Sequence, residues 1–440
     1  MGLTRRNFLE LNAAAAAAAT QAAGQSRVAA NDRTQFAFIG CGARAHELMA
    51  ALMTHPQAEI VGVVDAYKGR TERAVDRVGK QARVIHDYRA AIADKSIDAL
   101  VVATPDHWHK QIVIEALKAG KDVYCEKPLT YKSSEGLEII ETARQTGRIV
   151  QVGSQGMSSE VQRKARELIQ AGRIGKVTMV RAAYNRNTAS GAWIYPIPPD
   201  ASPQTVDWDM FLGAAPKRNF DLPRFFRWRC YEDYSGGIAT DLFVHLCTTI
   251  HFLMDAKIPS KVMAMGELYR WKESRDVPDT LNAILEYPEG FAVNLSSTFN
   301  NQSTAEGSFQ FLGTEGTLSI GWGTLTYSPE SAREDNRWIV ESWPKRLEAA
   351  YWKDPKVIKE ELVGLHKASL ASGDATWREQ GRDATVAHFG HFLESIRTRK
   401  PYWQDAVAGH HAAACAHMVN KSVKSGRAIT WDFGKDDIQA

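Results

Sequence analysis

Two short stretches of this 440-residue chain carry side chains that could share one reaction. Val123-Tyr-Cys-Glu-Lys-Pro-Leu-Thr130 places Lys127 between a glutamate and a proline, at the end of an apolar run. An ammonium beside a hydroxyl-bearing carbon can hold the oxygen and stabilise developing alkoxide charge. Gly236-Gly-Ile-Ala-Thr-Asp-Leu-Phe-Val-His245 spaces Asp241 and His245 four residues apart, on one face of a helix. A carboxylate next to an imidazole fixes its tautomer and raises its basicity, so the pair can take a hydroxyl proton. The plainer alternatives are a Lys127–Glu126 ion pair and a buried histidine satisfied by its helical neighbour. Adjacent side chains on an extended segment point to opposite faces, which weakens the first of these.

A third pattern, Gly40-Cys-Gly-Ala-Arg-Ala45, fits GxGxxA between an apolar strand and a helix start. Gly40 permits a tight turn, Gly42 leaves room for a pyrophosphate, and Ala45 lets the helix sit close to the strand. The helix-start amides of Ala43 and Arg44 would face the phosphates. Asp65 ends the next strand, where a carboxylate can accept ribose hydroxyls and repel a 2′-phosphate. That favours NAD; Lys68 and Arg70, just beyond, leave NADP open. Thr104, Pro105, His107 and His109 in the loop TPDHWH, with Glu126 and Lys127, complete the cofactor candidates. Helix capping or packing is the alternative role of the two histidines.

The elements that must position these groups follow from periodicity. Short apolar runs at Phe36–Ile39, from Ala58, from Asp98, at Val123–Cys125 and at Ile149–Val152 alternate with helical segments. Such alternation predicts a doubly wound parallel sheet. Lys127 then lies at the carboxyl end of a strand, the ligand side of such sheets. After about Gly156 come a helix over 162–171, a strand over 176–184 and a loop-rich, aromatic stretch over 189–229. The double-glycine helix follows, and then alternating strands over 262–327, the mark of an antiparallel sheet. Helices over 384–398 and 406–424 close the chain. The expected architecture is α/β: a Rossmann dinucleotide-binding domain over 34–155, then an α/β domain over 156–440 with a large, mainly antiparallel open sheet.

The run Thr104–Thr130, TPDHWHKQIVIEALKAGKDVYCEKPLT, resembles the Gfo/Idh/MocA family of glucose–fructose oxidoreductase and inositol dehydrogenase. The likeness extends over Gln35–Asp432 and includes the GGxxxDxxxH pattern. It implies that Lys127, Asp241 and His245 form the catalytic set, that the cofactor is NAD or NADP, and that the large sheet makes a homo-oligomer contact. The family often carries an aspartate where this chain has Thr248.

Composition is that of a soluble globular protein: 44% hydrophobic, 24% charged and a formal charge of only +3, with no basic cluster for nucleic acid. Thr4-Arg-Arg-Asn-Phe-Leu-Glu10, followed by alanines over 13–19, resembles a twin-arginine export signal spanning 1–30, read by the Tat machinery. Once it is cleaved, near Ala23 or Ala30, no membrane anchor remains and the location is periplasmic. Five widely spaced cysteines form neither a disulfide framework nor a zinc motif, and no His/Asp/Glu spacing reads as a metal site. His410 and His411 read as helix surface. Trp193, Tyr195, Trp208, Phe225, Phe226, Trp228, Tyr231 and Tyr234 are mostly core or loop anchors, with one or two lining a carbohydrate pocket beside Arg227 or Arg229.

The expected function is hydride transfer between a sugar, polyol or glycoside carbon and a tightly bound nicotinamide cofactor. An exported enzyme has no free nicotinamide pool outside the cytoplasm, so it must carry the cofactor with it. Two alternatives are a redox-neutral, NAD-dependent glycosidase and a non-catalytic sugar-binding protein.

Overall fold

The computed structural model describes residues 33–302, 307–321, 323–330, 336–358, 375–381 and 383–439. The proposed export signal lies outside them. The first sheet contains β1 (Thr34–Ile39), β2 (Ala58–Val64), β3 (Arg83–Val84), β4 (Ala99–Val102), β5 (Asp122–Glu126) and β6 (Val150–Gly153). Its order is β3-β2-β1-β4-β5-β6, every pair parallel, as the alternating pattern predicts. The helices α1 (Ala43–Leu52), α2 (Lys68–Val78), α3 (His109–Lys118) and α4 (Gly136–Thr146) connect its strands. The central strands are apolar on both faces because helices cover both, so they read as continuous runs rather than alternations.

The second sheet has ten strands in the order β14-β13-β12-β11-β7-β10-β9-β8-β15-β16. Its strands are β7 (Val177–Ala183), β8 (Lys261–Glu267), β9 (Thr280–Tyr287), β10 (Phe291–Thr298), β11 (Ser308–Gly313), β12 (Gly316–Gly321), β13 (Thr324–Pro329), β14 (Ala375–Arg378), β15 (Ile429–Asp432) and β16 (Asp437–Ile438). Only β7 and β10 run parallel. One face alternates into a core shared with α5 (Glu160–Gln170), α6 (Val244–Met254) and α8 (Ala406–Ser425). The other face leaves Met265, Tyr269 and Ile284 exposed. The fold class is therefore the α/β architecture expected.

The chain does not divide cleanly in sequence. α7 (Ala384–Thr398) returns to the first domain and buries Phe389, Phe392 and Leu393 among Phe36, Phe38 and Tyr124. Phe389 stacks on Tyr124 at 4.5 Å between centroids. A helix near the C-terminus thus completes the nucleotide-binding core. Among the described residues, no helix is long and apolar enough to cross a membrane.

Candidate active site

The glycine turn has the geometry its residues suggest. Gly40 adopts φ +89°, and a Cβ there would sit 2.5 Å from the Ala103 carbonyl oxygen, so only glycine fits. Gly42 is the N-cap of α1 and supplies no side-chain cap. A Cβ on it would meet only Arg70 Cζ, at 3.9 Å, so its outer side is open. An uncapped helix start behind an open glycine suits a pyrophosphate. Asp65 Oδ2 accepts from the Cys41 amide at 2.7 Å and Oδ1 from the Tyr67 amide at 2.8 Å. The carboxylate thereby joins the glycine turn to the start of α2. Thr104 and Pro105 line the same cavity as Gly40 and Asp65, and the buried Thr104 Oγ1 has no partner there. The open turn, the uncapped amides and this orphaned hydroxyl fit a dinucleotide.

The other cofactor candidates are placed differently. Arg44 Nε donates to Glu126 Oε1 at 3.1 Å, and its guanidinium also reaches Glu47. Glu126 also accepts from Gln155 at 2.8 Å. Arg44 and Glu126 therefore tie α1 to the end of β5. Ala43 opens α1 and Ala45 is fully buried against the strand. His107 Nε2 bonds the Phe211 carbonyl at 3.1 Å; burial pushes its pKa down to about 4. His109 bridges the carbonyls of Pro128 (2.6 Å) and Thr104 (3.1 Å). Neither ring lines the cavity; both hold loops that do.

Over this cavity lies a strap formed by residues 185–234. It is pinned along its length: Lys68 N donates to Thr205 O at 2.9 Å, Asp207 N to Ala66 O at 2.8 Å, and Tyr67 Oη to Asp200 at 2.6 Å. Trp108 Nε1 donates to Phe211 O at 2.9 Å. Phe211, Leu212, Phe225, Phe226 and Tyr234 pack with Tyr67 into a separate apolar cluster. Met210, Phe211, Phe225 and Trp228 thus line the cavity from the strap side. The Arg70 guanidinium lies over both Phe225 and Phe226 and is 3.6 Å from Asp65. Trp193, by contrast, is fully buried against Phe299, a core anchor.

Lys127 leaves the end of β5, where the Lys127–Pro128 peptide is cis. Its Nζ donates to Asp241 Oδ1 at 2.8 Å and to the Asp241 carbonyl at 2.9 Å. Arg229 Nε donates to the same Oδ1 at 3.0 Å, its guanidinium resting 4.1 Å from the centroid of Trp228. Burial would raise the Asp241 pKa, but Lys127 and Arg229 outweigh it and hold the carboxyl well below its usual range. Asp241 is therefore a fixed anion between two cations.

The expected Asp241–His245 couple takes another form. Residues 239–243 form a π turn ahead of α6, which changes the rotational offset between positions four apart. Asp241 Oδ1 accepts from two cations, Lys127 and Arg229, and the carboxylate acts on His245 through its charge. The His245 ring stacks near Tyr184, 6.3 Å between centroids. Burial and the Lys127 charge push its pKa well below the ordinary value, against the opposing pull of Asp241. The imidazole is neutral and can accept a proton. Lys127, Asp241 and His245 do converge, from strand end and helix start, at one place between the domains.

Three neighbours carried no motif. Arg186, just past β7, adds positive charge to Asp241 and His245. Tyr184 flanks His245. Asp106 is buried, its pKa raised by burial, and accepts from Thr240 at 3.4 Å. Only the tertiary fold brings them in. Thr248, the position where the family often has aspartate, donates to the Val244 carbonyl at 2.7 Å within its own helix.

Comparison with known proteins agrees with this geometry. Residues 34–154 match the GFO_IDH_MocA family, described as an oxidoreductase family with an NAD-binding Rossmann fold, and residues 209–319 match its C-terminal domain. The scyllo-inositol 2-dehydrogenase (NAD(+)) of Bacillus subtilis is 26% identical over 322 residues, 72% of this chain and 82% of that protein. The inositol 2-dehydrogenase of Salmonella typhimurium is 31% identical, but over only 132 residues, 30% of this chain and 39% of that protein. A levoglucosan dehydrogenase solved with NADH and levoglucosan superposes with a TM-score of 0.66 at 18% identity, covering 90% of this chain and 99% of that one. The chain belongs to the Gfo/Idh/MocA family of NAD-dependent sugar and polyol oxidoreductases.

Proposed function

We propose that this protein is an exported oxidoreductase that moves hydride between the hydroxyl-bearing carbon of a sugar, polyol or glycoside and a tightly held NAD. The observation that carries the reading is the Lys127–Asp241 bond beside a neutral His245. The nicotinamide, when bound, supplies the hydride acceptor. Asp241 spends two of the three Lys127 N–H donors and fixes the ammonium. The third is left for a substrate oxygen. His245 takes the hydroxyl proton, and the positive charge of Lys127 stabilises the oxygen as that proton leaves. Asp241 acts on the lysine, with Arg229 holding it from the other side.

The strap supports tight retention. Met210, Phe211, Phe225 and Trp228 add apolar contact to a molecule seated by Gly40, Asp65 and Thr104. Retention is what an exported enzyme requires, and the Arg-Arg motif at 5–6 supports export. Asp65 facing the cavity supports NAD, although Arg70 lines the same cavity 3.6 Å from that carboxylate. Exposed Met265 and Ile284, at 76% and 61%, support self-association through the large sheet.

The test uses purified full-length protein with no added nicotinamide. Acid-denatured protein should release about one NAD per chain. Sugars, polyols and aryl glycosides are then screened for absorbance of the reduced, bound cofactor. A substrate that bleaches this signal marks hydride return, whereas release of free sugar from aryl glycosides would indicate net hydrolysis. Undiminished turnover by Lys127→Ala would refute the catalytic assignment.

A further inference from the structure

Far along the sequence from Lys127, two adjacent histidines meet one carboxylate. His410 and His411 lie in the first turns of α8, 0% and 8% exposed, not on the helix surface as their sequence context suggests. Asp436 sits in the turn between β15 and β16, at φ +52°, a left-handed conformation unusual for a non-glycine residue. The turn is held by Asp432, which accepts from the Gly434 and Lys435 amides. It is also held by pairing of Trp431 with Ile438 and Asp432 with Asp437. This backbone carries the Asp436 carboxylate to both rings. His411 Nε2 is 3.1 Å from Oδ1, and His410 Nε2 is 4.0 Å from Oδ2 and 3.4 Å from the backbone oxygen.

We infer that His410, His411 and Asp436 form a binding site for one divalent transition-metal ion of the zinc type. One ligand atom from each lies within 4.8 Å of the others. Bonds of about 2.0–2.1 Å in a tetrahedron separate neighbouring ligands by roughly 3.3 Å, so modest contraction closes the set. Two imidazoles and a carboxylate are a borderline donor set that suits zinc, cobalt or nickel and not calcium or magnesium. The Asp436 side chain is 41% exposed, which leaves a coordination position for water.

Hydrogen bonding alone accounts poorly for the arrangement. One carboxylate faces two buried rings, and His410 Nδ1 has no partner. That ring is nonetheless fixed: a Cβ on Gly136 would fall 1.9 Å from His410 Nδ1, so glycine at the start of α4 is what admits it. The ion would brace the C-terminal turn against α8. The same helix also touches the loop after Lys127, where His417 Nε2 bonds the Thr130 carbonyl at 3.2 Å.

The test strips the full-length protein with a chelator, then titrates it with Co2+ and, separately, Zn2+. The wild type should take up one equivalent, with Co2+ showing the visible absorption of a low-coordinate site. Asp436→Asn keeps a hydrogen-bond acceptor for the rings yet should bind at least tenfold more weakly; so should His411→Asn. No stoichiometric uptake by the wild type, or undiminished uptake by either variant, overturns the site.

Discussion

Breaking the Lys127–Asp241 pair from each side in turn measures how the site is held. At 2.8 Å and an effective dielectric near 20, the Coulomb attraction is about 6 kcal/mol, most of it offset by desolvation of the two side chains. Both are only 10% exposed, so removing one partner strands the other. Asp241→Asn leaves Lys127 and Arg229 facing each other with no anion between them. Lys127→Met leaves Asp241 bonded to Arg229, with the Arg186 charge nearby. Each single change should cost roughly 3 kcal/mol, since breaking a buried pair costs about 3–5 kcal/mol and Arg229 retains part of the compensation in the second case. The double variant removes both charges and should cost less than the sum, by about 2 kcal/mol. Urea unfolding of all four proteins with bound cofactor, at fixed pH and salt, gives the cycle. Additivity within about 0.5 kcal/mol would show that the two side chains do not depend on each other and would remove the basis for the fixed ammonium. The three variants should also lose turnover by at least about 100-fold, the scale of a lost proton-transfer or charge-stabilising group.

Gly40→Ala and Gly42→Ala should part company. The first collides with the Ala103 carbonyl and should lose stability and bound NAD together; the second meets nothing closer than 3.9 Å and should fold normally while retaining less NAD, read by thermal melting and cofactor content. His245 must be neutral to accept a proton, and its folded pKa is depressed. The acid limb of kcat/KM should therefore fall below the ordinary histidine value of about 6.5, and a limb above it would refute the neutral-base role. Burial likewise lowers His107 and His417 to about 4, and His251 and His388 to about 3. Their unfolded value is about 6.5, so their contribution is complete above that pH and is lost as pH falls toward the folded values. Four such groups give a slope of up to roughly 5 kcal/mol per unit near pH 5. An unfolding midpoint that stays flat from pH 7 to 5 would contradict it.

The two sheets, the glycine turn and the place of Lys127 at a strand end could be anticipated because each rests on local pattern: apolar runs, glycine spacing, a lysine after a buried strand; the grouping of Lys127 with Asp241, 114 residues on, came only from the family likeness. What could not be anticipated depends on rotation or distant packing. A π turn looks like any helix in sequence, yet it sits where the partner of Asp241 is decided. The stretch 189–229 reads as aromatic loop; only the backbone bonds from Ala66 and Lys68 reveal it as a cover for the cofactor cavity. His410 and His411 sit in an alanine-rich helical run, and nothing near them predicts that Asp436 curls back to meet both. α7 carries a plain amphipathic pattern, with no mark of which domain it will join.

That helix has a consequence for synthesis. His55 bonds the Val386 carbonyl at 2.9 Å, a contact 331 residues apart, and the aromatic face of Phe36 and Tyr124 stays uncovered until Phe389 and Phe392 arrive. While the ribosome is still translating, the nucleotide-binding half has all its strands but no lid for one greasy side. A nascent chain arrested before residue 384 would present that side to chaperones or to other nascent chains. Completion of the first domain therefore waits until residues 384–398 have been made.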